Sequence, residues 1–318
     1  MAQPSPAPSS IAGFGDSLAA RVAERESQIV LGLDPDPLAL WPGVPAPMGG
    51  SPAERAAVAV LTHCRALIDA AGPACVGVKP QLARFEQLGA PGWVALEGIV
   101  EYAHEAGLLV IADGKRGDID VTARAYARAL QGSTDSPFDA VDGLGADMIT
   151  VNPLMGSDAI EPFVATARDT RARARRPAGV LVLVRTSNPG AADIEDLELV
   201  GGGRVWERIA MLVERLGADG VGESGLSDVG AVVGATVPEH LERARELMPR
   251  SVFLLPGVGS QGGRVEDLGA AFVPGRAGGL IAASRSVANA HIANGGAPGE
   301  AARAEAERLR ELAWGISG

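Results

Sequence analysis

Two lysines mark the part of the chain most able to do chemistry. Of its 28 lysine and arginine residues, only Lys79 and Lys115 are lysine. Arginine supplies surface charge equally well, but its guanidinium does not release a proton at ordinary pH, whereas a lysine ammonium can. Two lysines can remain by chance in an arginine-rich composition. Their positions, each at the end of a short apolar run, favour a need for a transferable proton or a compact cation.

Carboxylates accompany both lysines. The segment LLVIADGKRGDIDVT, residues 108–122, passes from an apolar run, which predicts a buried strand, into acidic and basic residues. Opposite charges this close keep one another ionised, and burying them for structure alone would cost desolvation. We therefore predict a catalytic charge array rather than a structural network of ion pairs. Its members are Asp34, Lys79, Asp113, Lys115 and Asp118.

A second candidate site follows the last two apolar runs. The sequence PGVGSQGG occupies residues 256–263, and Arg285 stands in SRS after the next run. Glycine lets a backbone approach a ligand closely, so we expect the glycine amides of this loop, that of Gly259 among them, to be exposed. Alone, the loop is equally consistent with an ordinary turn. With the forked donor of Arg285 at the next strand end, it predicts a phosphate site.

These side chains need a scaffold that brings strand ends together. Short, nearly continuous apolar runs alternate with helical patterns, which is typical of parallel strands covered by helices. Eight such units predict a single-domain (β/α)8 TIM barrel of the α/β class over residues 13–318, with a doubly wound sheet as the alternative. We expect a capping helix at its N-terminus, a final helix at its C-terminus and a disordered tail over residues 1–12. The strands are predicted at residues 29–33, 76–78, 109–112, 148–151, 180–184, 231–233, 252–255 and 280–283, and the helices at residues 16–26, 51–71, 92–105, 118–130, 158–168, 204–216, 238–247 and 298–313.

Composition narrows the class of protein. The chain has 318 residues, 47% of them hydrophobic, and a formal net charge of −11. The negative charge argues against nucleic acid or an anionic membrane as a partner, but backbone amides and an arginine can still hold a phosphate locally. The sequence has no signal-peptide pattern and no apolar run long enough to cross a bilayer. We therefore expect a cytoplasmic protein that acts on a small molecule.

The cysteines and histidines are assigned no role in the site. Cys64 and Cys75 lack metal-ligand spacing and a disulfide pattern, so we expect buried thiols in a reducing cytoplasm. No metal site is predicted. The histidines fall on predicted helices or a terminal loop and are expected at the surface. They are His63, His104, His240 and His291.

The charged segment also carries a resemblance to a known family. DGKRGDI at residues 113–119 resembles the D-x-K-x-x-D signature of the orotidine 5'-phosphate decarboxylases, in their longer bacterial branch (type 2). The other matches stand in the family's order and extend from about residue 29 to residue 287. They are Asp34, Lys79, TSNPG at residues 186–190, PGVGSQGG at residues 256–263 and SRS at residues 284–286.

The resemblance implies a cofactor-free decarboxylation of orotidine 5'-phosphate to UMP in de novo pyrimidine biosynthesis. Asp113 would face the substrate carboxylate and favour its loss as carbon dioxide. Lys115 would stabilise the negative charge that develops at C6 and then protonate it. Lys79 and Asp118 would complete the charge array. In this family the second aspartate comes from the neighbouring subunit, together with a threonine that matches Thr122, so a homodimer with shared active sites is implied.

The resemblance also implies how the substrate is held. Asp34 would bind a ribose hydroxyl together with Lys79. Ser187 would contact the pyrimidine ring, and Gln261 and Arg285 would bind the phosphate. No metal and no organic cofactor is implied, because the charge array itself supplies electrostatic stabilisation where charge develops.

Three alternatives remain open from the sequence. A decarboxylase of a keto-sugar phosphate shares the barrel and the D-x-K-x-x-D pattern but uses Mg²⁺. A Schiff-base aldolase would use Lys79 or Lys115 as nucleophile, which requires a neutral lysine, whereas nearby aspartates favour the charged form. The third alternative is a barrel that binds sugar phosphates without turnover. TSNPG and GSQGG favour the pyrimidine enzyme.

Overall fold

The computed structural model describes residues 13–45, 48–174, 176–259 and 261–318. The tail predicted over residues 1–12 lies outside the described residues. Eight parallel strands each pair with their neighbours along the chain, and the last pairs with the first. This closed sheet confirms the (β/α)8 barrel and excludes the doubly wound alternative. The strands are β1 (Ile29–Leu33), β2 (Gly77–Pro80), β3 (Leu109–Arg116), β4 (Met148–Val151), β5 (Gly179–Arg185), β6 (Val229–Val233), β7 (Phe253–Leu255) and β8 (Gly279–Ala283).

The predicted helices are present, with their ends shifted. The helix predicted over residues 158–168 runs from Glu161 to Ala174, because a short 3-10 turn precedes it and alanine and arginine extend it beyond the apolar pattern. A short antiparallel hairpin, Ser133–Thr134 with Val141–Asp142, was not predicted. The helices are α1 (Phe14–Arg25), α2 (Pro52–Ala71), α3 (Ala83–Glu86), α4 (Ala90–Glu105), α5 (Asp120–Leu130), α6 (Glu161–Ala174), α7 (Val205–Gly217), α8 (Pro238–Leu247), α9 (Arg285–Ala288), α10 (Ala290–Asn294) and α11 (Pro298–Ile316).

Alternating side chains of the strands build two layers of core. Within β1, Val30 belongs to the barrel interior, whereas Ile29 and Leu31 pack outward in the layer shared with the helices. The interior cluster continues into Phe14 and Leu18 of α1, so this helix covers one end of the barrel interior. The opposite end, where the strands terminate, is left for polar residues.

Strand β3 is longer than predicted. The apolar run indicates an end at Ala112, but the strand continues through Lys115 to Arg116. Its register with β4 shifts between Ala112 and Arg116, which marks a bulge. The charged residues therefore lie on the strand itself, while Asp118 lies in the following loop, before α5 begins at Asp120.

The prediction that both cysteines are buried is confirmed, and the histidine prediction is partly wrong. Cys64 and Cys75 are buried free thiols. His63 is also buried, because Trp41 in the Pro-rich loop after β1 folds over α2 and donates its backbone N–H to His63 Nδ1 at 3.2 Å. The other three histidines are partly exposed. Among the described residues, no helix has the length and apolar character that a membrane span requires.

Candidate active site

Asp113 is the centre of a hydrogen-bonded charge cluster at the C-terminal end of the barrel. Lys79 Nζ donates to Asp113 Oδ2 at 2.5 Å, and Lys115 Nζ donates to Asp113 Oδ1 at 2.6 Å. The Thr150 hydroxyl donates to Oδ1 at 2.9 Å, and Gln81 Nε2 approaches Oδ2 at 3.4 Å. Both oxygens of one carboxylate thus bind groups from three adjacent strands and the loop after β2.

The cluster keeps Asp113 and Lys79 charged although both are buried. Burial alone would raise the pKa of Asp113, but the attraction and hydrogen bonds of Lys79 and Lys115 outweigh it and lower that pKa to about 2. Burial alone would lower the pKa of Lys79, yet the neighbouring Asp113 and Asp34 carboxylates raise it. The site therefore holds an ionised carboxylate between two lysines, one of which is buried.

The bulge in β3 sets the position of Lys115. The Lys115 backbone is in the left-handed region, at φ 47°, which costs a non-glycine residue on the order of 1–2 kcal/mol. Its N–H donates to the Thr150 hydroxyl at 2.9 Å. Thr150 thus holds both the Lys115 backbone and the Asp113 carboxylate, and the local strain is balanced by contacts to the neighbouring strand.

Asp34 lies beside the cluster with one oxygen unused. Its Oδ1 atom is buried and has no hydrogen-bond partner in the described part of the chain. Gly32 allows the ends of β1 and β8 to approach, because a Cβ there would lie 2.5 Å from Ser284 Cβ. A buried unpaired carboxylate oxygen that faces a cavity is suited to accept a hydrogen bond from a ligand.

The glycine loop after β7 is folded on itself. Gly257, Gly259 and Gly262 have φ of 104°, 76° and 91°, values that favour glycine. The amides of Gly259, Gly262 and Gly263 each donate to a carbonyl within the loop. The expectation that these amides are exposed is therefore wrong for these three residues, because the turn satisfies its own donors.

A cavity of about 500 Å³ joins the charge cluster to this loop. It lies at the C-terminal ends of the strands. Of the predicted site residues, it is lined by Asp34, Lys79, Asp113, Lys115, Ser187, Gln261 and Arg285. The Ser187 hydroxyl donates to Gln261 Oε1 at 2.8 Å, which connects the loop after β5 to the loop after β7. The Arg285 side chain makes no hydrogen bond or ion pair with any described residue.

Three predicted site residues do not line this cavity. Asp118 accepts a hydrogen bond from the Ile119 N–H at 2.8 Å, Thr122 is exposed on α5, and the Gly259 amide is used in its own turn. A larger cleft of about 640 Å³ lies between α5 and α6, away from both lysines. The charged groups of the smaller cavity make it the candidate active site.

Several residues of the cavity and its cluster were not predicted from the sequence. Thr150 is the one polar residue in the strand MITV, a position that in retrospect signals a role at the barrel interior. Gln81 and Glu195 also line the cavity, and no sequence pattern distinguishes them from ordinary loop residues; Asn188 lines it too and belongs to the TSNPG segment, but had been given no role of its own. Within the described ranges, no group of three or more His, Cys, Asp and Glu residues has metal-binding geometry. The metal expectation stays a prediction.

Comparisons with known proteins identify relatives that cover most of the chain. The family model described as "Orotidine 5'-phosphate decarboxylase / HUMPS family" matches residues 27–303. The orotidine 5'-phosphate decarboxylase of Rhodopirellula baltica is 41% identical over 87% of this chain and 89% of its own length. That of Deinococcus radiodurans is 39% identical over 93% and 96%. The structure of Leishmania donovani OMP decarboxylase is 31% identical, with a TM-score of 0.70, over 95% of this chain and 99% of its own.

Proposed function

The chain belongs to the orotidine 5'-phosphate decarboxylase / HUMPS family, and on that premise we propose that it converts orotidine 5'-phosphate to UMP and carbon dioxide in pyrimidine biosynthesis. One observation carries the proposal. An ionised carboxylate, Asp113, is held between two lysines at the wall of a cavity large enough for a nucleotide. A site of this kind acts by charge placement rather than by a nucleophile.

The decarboxylation step follows from the charges. The substrate carboxylate would lie beside Asp113, so that two negative charges face each other in the ground state. Breaking the bond between C6 and the carboxyl carbon releases neutral carbon dioxide and leaves the electron pair on C6. Lys115 stabilises that pair and donates its Nζ proton to form the C6–H bond. The resulting neutral lysine regains a proton from water.

Binding of the remote parts of the substrate positions C6. Asp34 would accept a hydrogen bond from a ribose hydroxyl, because its buried Oδ1 has no partner among the described residues, and Lys79 would donate to a ribose hydroxyl. Ser187 would contact the pyrimidine ring. Gln261 and the exposed Arg285 would hold the phosphate. Interactions far from the reacting carbon can then supply the energy that brings like charges together.

We propose further that the protein is a homodimer whose two active sites are shared. Asp118 and Thr122 do not line the cavity of their own chain. The surface around them includes exposed apolar side chains: Ile119 is 50%, Val121 66% and Leu154 76% exposed. A two-fold interface on this surface would present Asp118 to the partner's Lys115.

We also propose a cytoplasmic location and independence from metals and organic cofactors. Cys64 and Cys75 are free and buried, which suits a reducing compartment. The two ammonium groups of the cluster already neutralise charge where a metal would otherwise act.

The reaction is tested by the loss of absorbance when orotidine 5'-phosphate is added to purified protein. We expect turnover that persists after exhaustive dialysis against a chelator. Activity that returned only with Mg²⁺, on a keto-sugar phosphate, would favour the metal-dependent decarboxylase. Trapping of a lysine by borohydride with a carbonyl substrate would favour the aldolase. Nucleotide binding without turnover would favour a binding protein.

The shared site is tested by mixing two inactive variants. Lys115→Ala and Asp118→Ala homodimers should each have little activity. A heterodimer should contain one complete site, with Lys115 from the Asp118 variant and Asp118 from the Lys115 variant. Co-refolding the two proteins should therefore restore activity. Heterodimers that form but remain inactive would mean that Asp118 acts in its own chain or not at all.

A further inference from the structure

A network of ion pairs lies directly beside the loop that carries Ser187. Arg185, the last residue of β5, donates from Nε and Nη2 to the two carboxylate oxygens of Asp196, at 2.9 and 2.8 Å. Its Nη1 atom lies 3.6 Å from Glu195 Oε2. The Arg185 side chain is only 11% exposed, so this arginine is held in one orientation against two consecutive carboxylates.

Arg185 and Glu195 hold Thr186 from both sides. Glu195 Oε2 accepts from the Thr186 N–H at 2.8 Å, and Glu195 Oε1 accepts from the Thr186 hydroxyl at 3.0 Å. Arg185 Nη1 donates to the Thr186 carbonyl. The N–H and the carbonyl of Thr186 are therefore both bound to one ion pair, while its hydroxyl lies between two acceptors, Asn188 Oδ1 at 2.8 Å and Glu195 Oε1 at 3.0 Å. We call Arg185 and Glu195 the Thr186 clamp.

The clamp is itself anchored to the barrel. The N–H of Trp206, which is 2% exposed at the start of α7, donates to the Glu195 carbonyl at 2.9 Å. Because the Glu195 backbone is held in place, its carboxylate extends from a fixed point. A surface ion pair between two flexible side chains contributes little to stability. The Glu195 carboxylate differs because both of its oxygens are bound and its backbone is bonded to the buried Trp206.

Ser187 is the next residue, and its position follows from the clamp. On the other side it packs on Gly234, where a Cβ would lie 2.9 Å from Ser187 Cα. The Ser187 hydroxyl then reaches Gln261 in the loop after β7. Fixing Thr186 thus fixes the serine and, through it, one side chain of the glycine loop.

We propose that Glu195 is a positioning residue for the substrate: through Thr186 it holds Ser187 and Gln261 in the geometry that binds the nucleotide. The inference rests on the proposed function, since it gives Ser187 and Gln261 the substrate contacts described above. It also explains why a carboxylate lines a cavity for an anionic ligand. Arg185 and the two donors of Thr186 draw its charge away from the cavity.

Amide hydrogen exchange tests the clamp without any substrate. In Glu195→Ala, the backbone amides of residues 186–188 should exchange at least about tenfold faster than in the wild type. Glu195→Gln keeps one acceptor oxygen and should have a smaller effect. Asp193→Ala is the matched control, because the Asp193 carboxylate is exposed on the same segment and has no hydrogen bond to the described residues. Unchanged exchange in Glu195→Ala would overturn the proposal.

Kinetics test the consequence for the nucleotide. Glu195→Ala should raise KM for orotidine 5'-phosphate about tenfold and change kcat less, because one hydrogen-bonded substrate contact is misplaced. If Glu195 acts through Ser187, the Glu195→Ala/Ser187→Ala double variant should be no worse than the poorer single variant. Additive losses would overturn the proposed route. If the wild type turns over the nucleotide and Glu195→Ala has the same KM and kcat, this inference alone is overturned. If the wild type is inactive, the proposed function is overturned and the nucleotide assignment with it.

Discussion

At one end of the cavity Asp113 is bound by groups from the neighbouring strands, whereas at the other end the Arg285 side chain has no partner in the described part of the chain. In the charge cluster, Asp113 binds Lys79, Lys115 and Thr150, each within 3 Å. These groups come from the three adjacent strands β2, β3 and β4. The pairing of these strands with their neighbours gives the groups little freedom to move, and no ligand is needed to assemble them.

The phosphate end is built from a loop and a short helix. The glycine loop satisfies several of its own amides, and Arg285 extends from the start of α9 with an exposed guanidinium. Ser286 Oγ is buried without a partner among the described residues. This end therefore offers donors that become fully used only when an anion binds.

This difference between the two ends of the cavity matches two tasks of one site, stabilising a transition state and binding a phosphate. Groups that stabilise a transition state must be in place before the reaction, since reorganising them would add to the barrier. Groups that bind a remote phosphate can be ordered by the ligand, and the energy of phosphate binding can close the loop over the site. Substitutions in the charge cluster should thus lower kcat, and substitutions at the phosphate end should raise KM.

The largest effect is expected for Lys115→Arg. The guanidinium keeps the charge but does not donate a proton readily, so kcat should fall at least about a thousandfold. Circular dichroism and thermal unfolding should show an intact barrel. Turnover near the wild-type rate in this variant would refute the proton-donor role. Lys115→Ala should also fail.

A smaller loss, in a different parameter, is expected for Arg285→Ala. Removing a charged donor to the phosphate should raise KM about a hundredfold while kcat falls much less. The matched control is Arg264→Ala, an exposed arginine near the same loop that lies 3.7 Å from Glu266. A fall in kcat equal to that in kcat/KM would place Arg285 with the charge cluster and remove the contrast between the two ends.

Acid titration should distinguish the charge cluster by its contribution to stability. The pKa of Asp113 is lowered from 3.8 to about 2, so the ionised form stabilises the folded state above pH 4. That contribution, about 2 kcal/mol from the shift, is lost as the pH falls from about 4 towards 2. In urea titrations, the free energy of unfolding of the wild type should exceed that of Asp113→Asn at pH 6, and the difference should narrow below pH 4. A difference in the free energy of unfolding that did not depend on pH would contradict the charged cluster. The control variant Asp193→Asn should show no such pH-dependent difference from the wild type.

The sequence allowed the fold and the charge cluster to be predicted because both follow from strand order. Continuous apolar runs indicate buried parallel strands, and a barrel brings the ends of all its strands to one face. Asp34, Lys79 and Asp113 therefore meet at that face even though they are far apart along the chain. No side-chain detail was needed for this prediction.

What could not be predicted depends on contacts between distant segments. His63 is buried because Trp41 from a proline-rich loop covers it, and no helical pattern carries that information. Glu195 reaches Thr186 across a loop whose course is set by its anchor at Trp206. Thr150 reads from the sequence as a residue that favours strands, so its hydrogen bonds appear only in three dimensions.

Thr150→Val provides the finest test of the comparison between the two ends. Valine keeps the shape and the strand propensity but removes the hydroxyl that binds Asp113 and the Lys115 N–H. Lys115 would then lose the contact that supports its left-handed backbone, and its ammonium would be less well placed. We expect kcat to fall about tenfold with KM nearly unchanged, since one hydrogen-bonded hydroxyl is lost. Thr150→Ser should restore most of the rate because it restores the hydroxyl. If Thr150→Val raised KM instead, the charge cluster would also be contributing to ground-state binding, and the two ends of the cavity would not divide the work as their construction indicates.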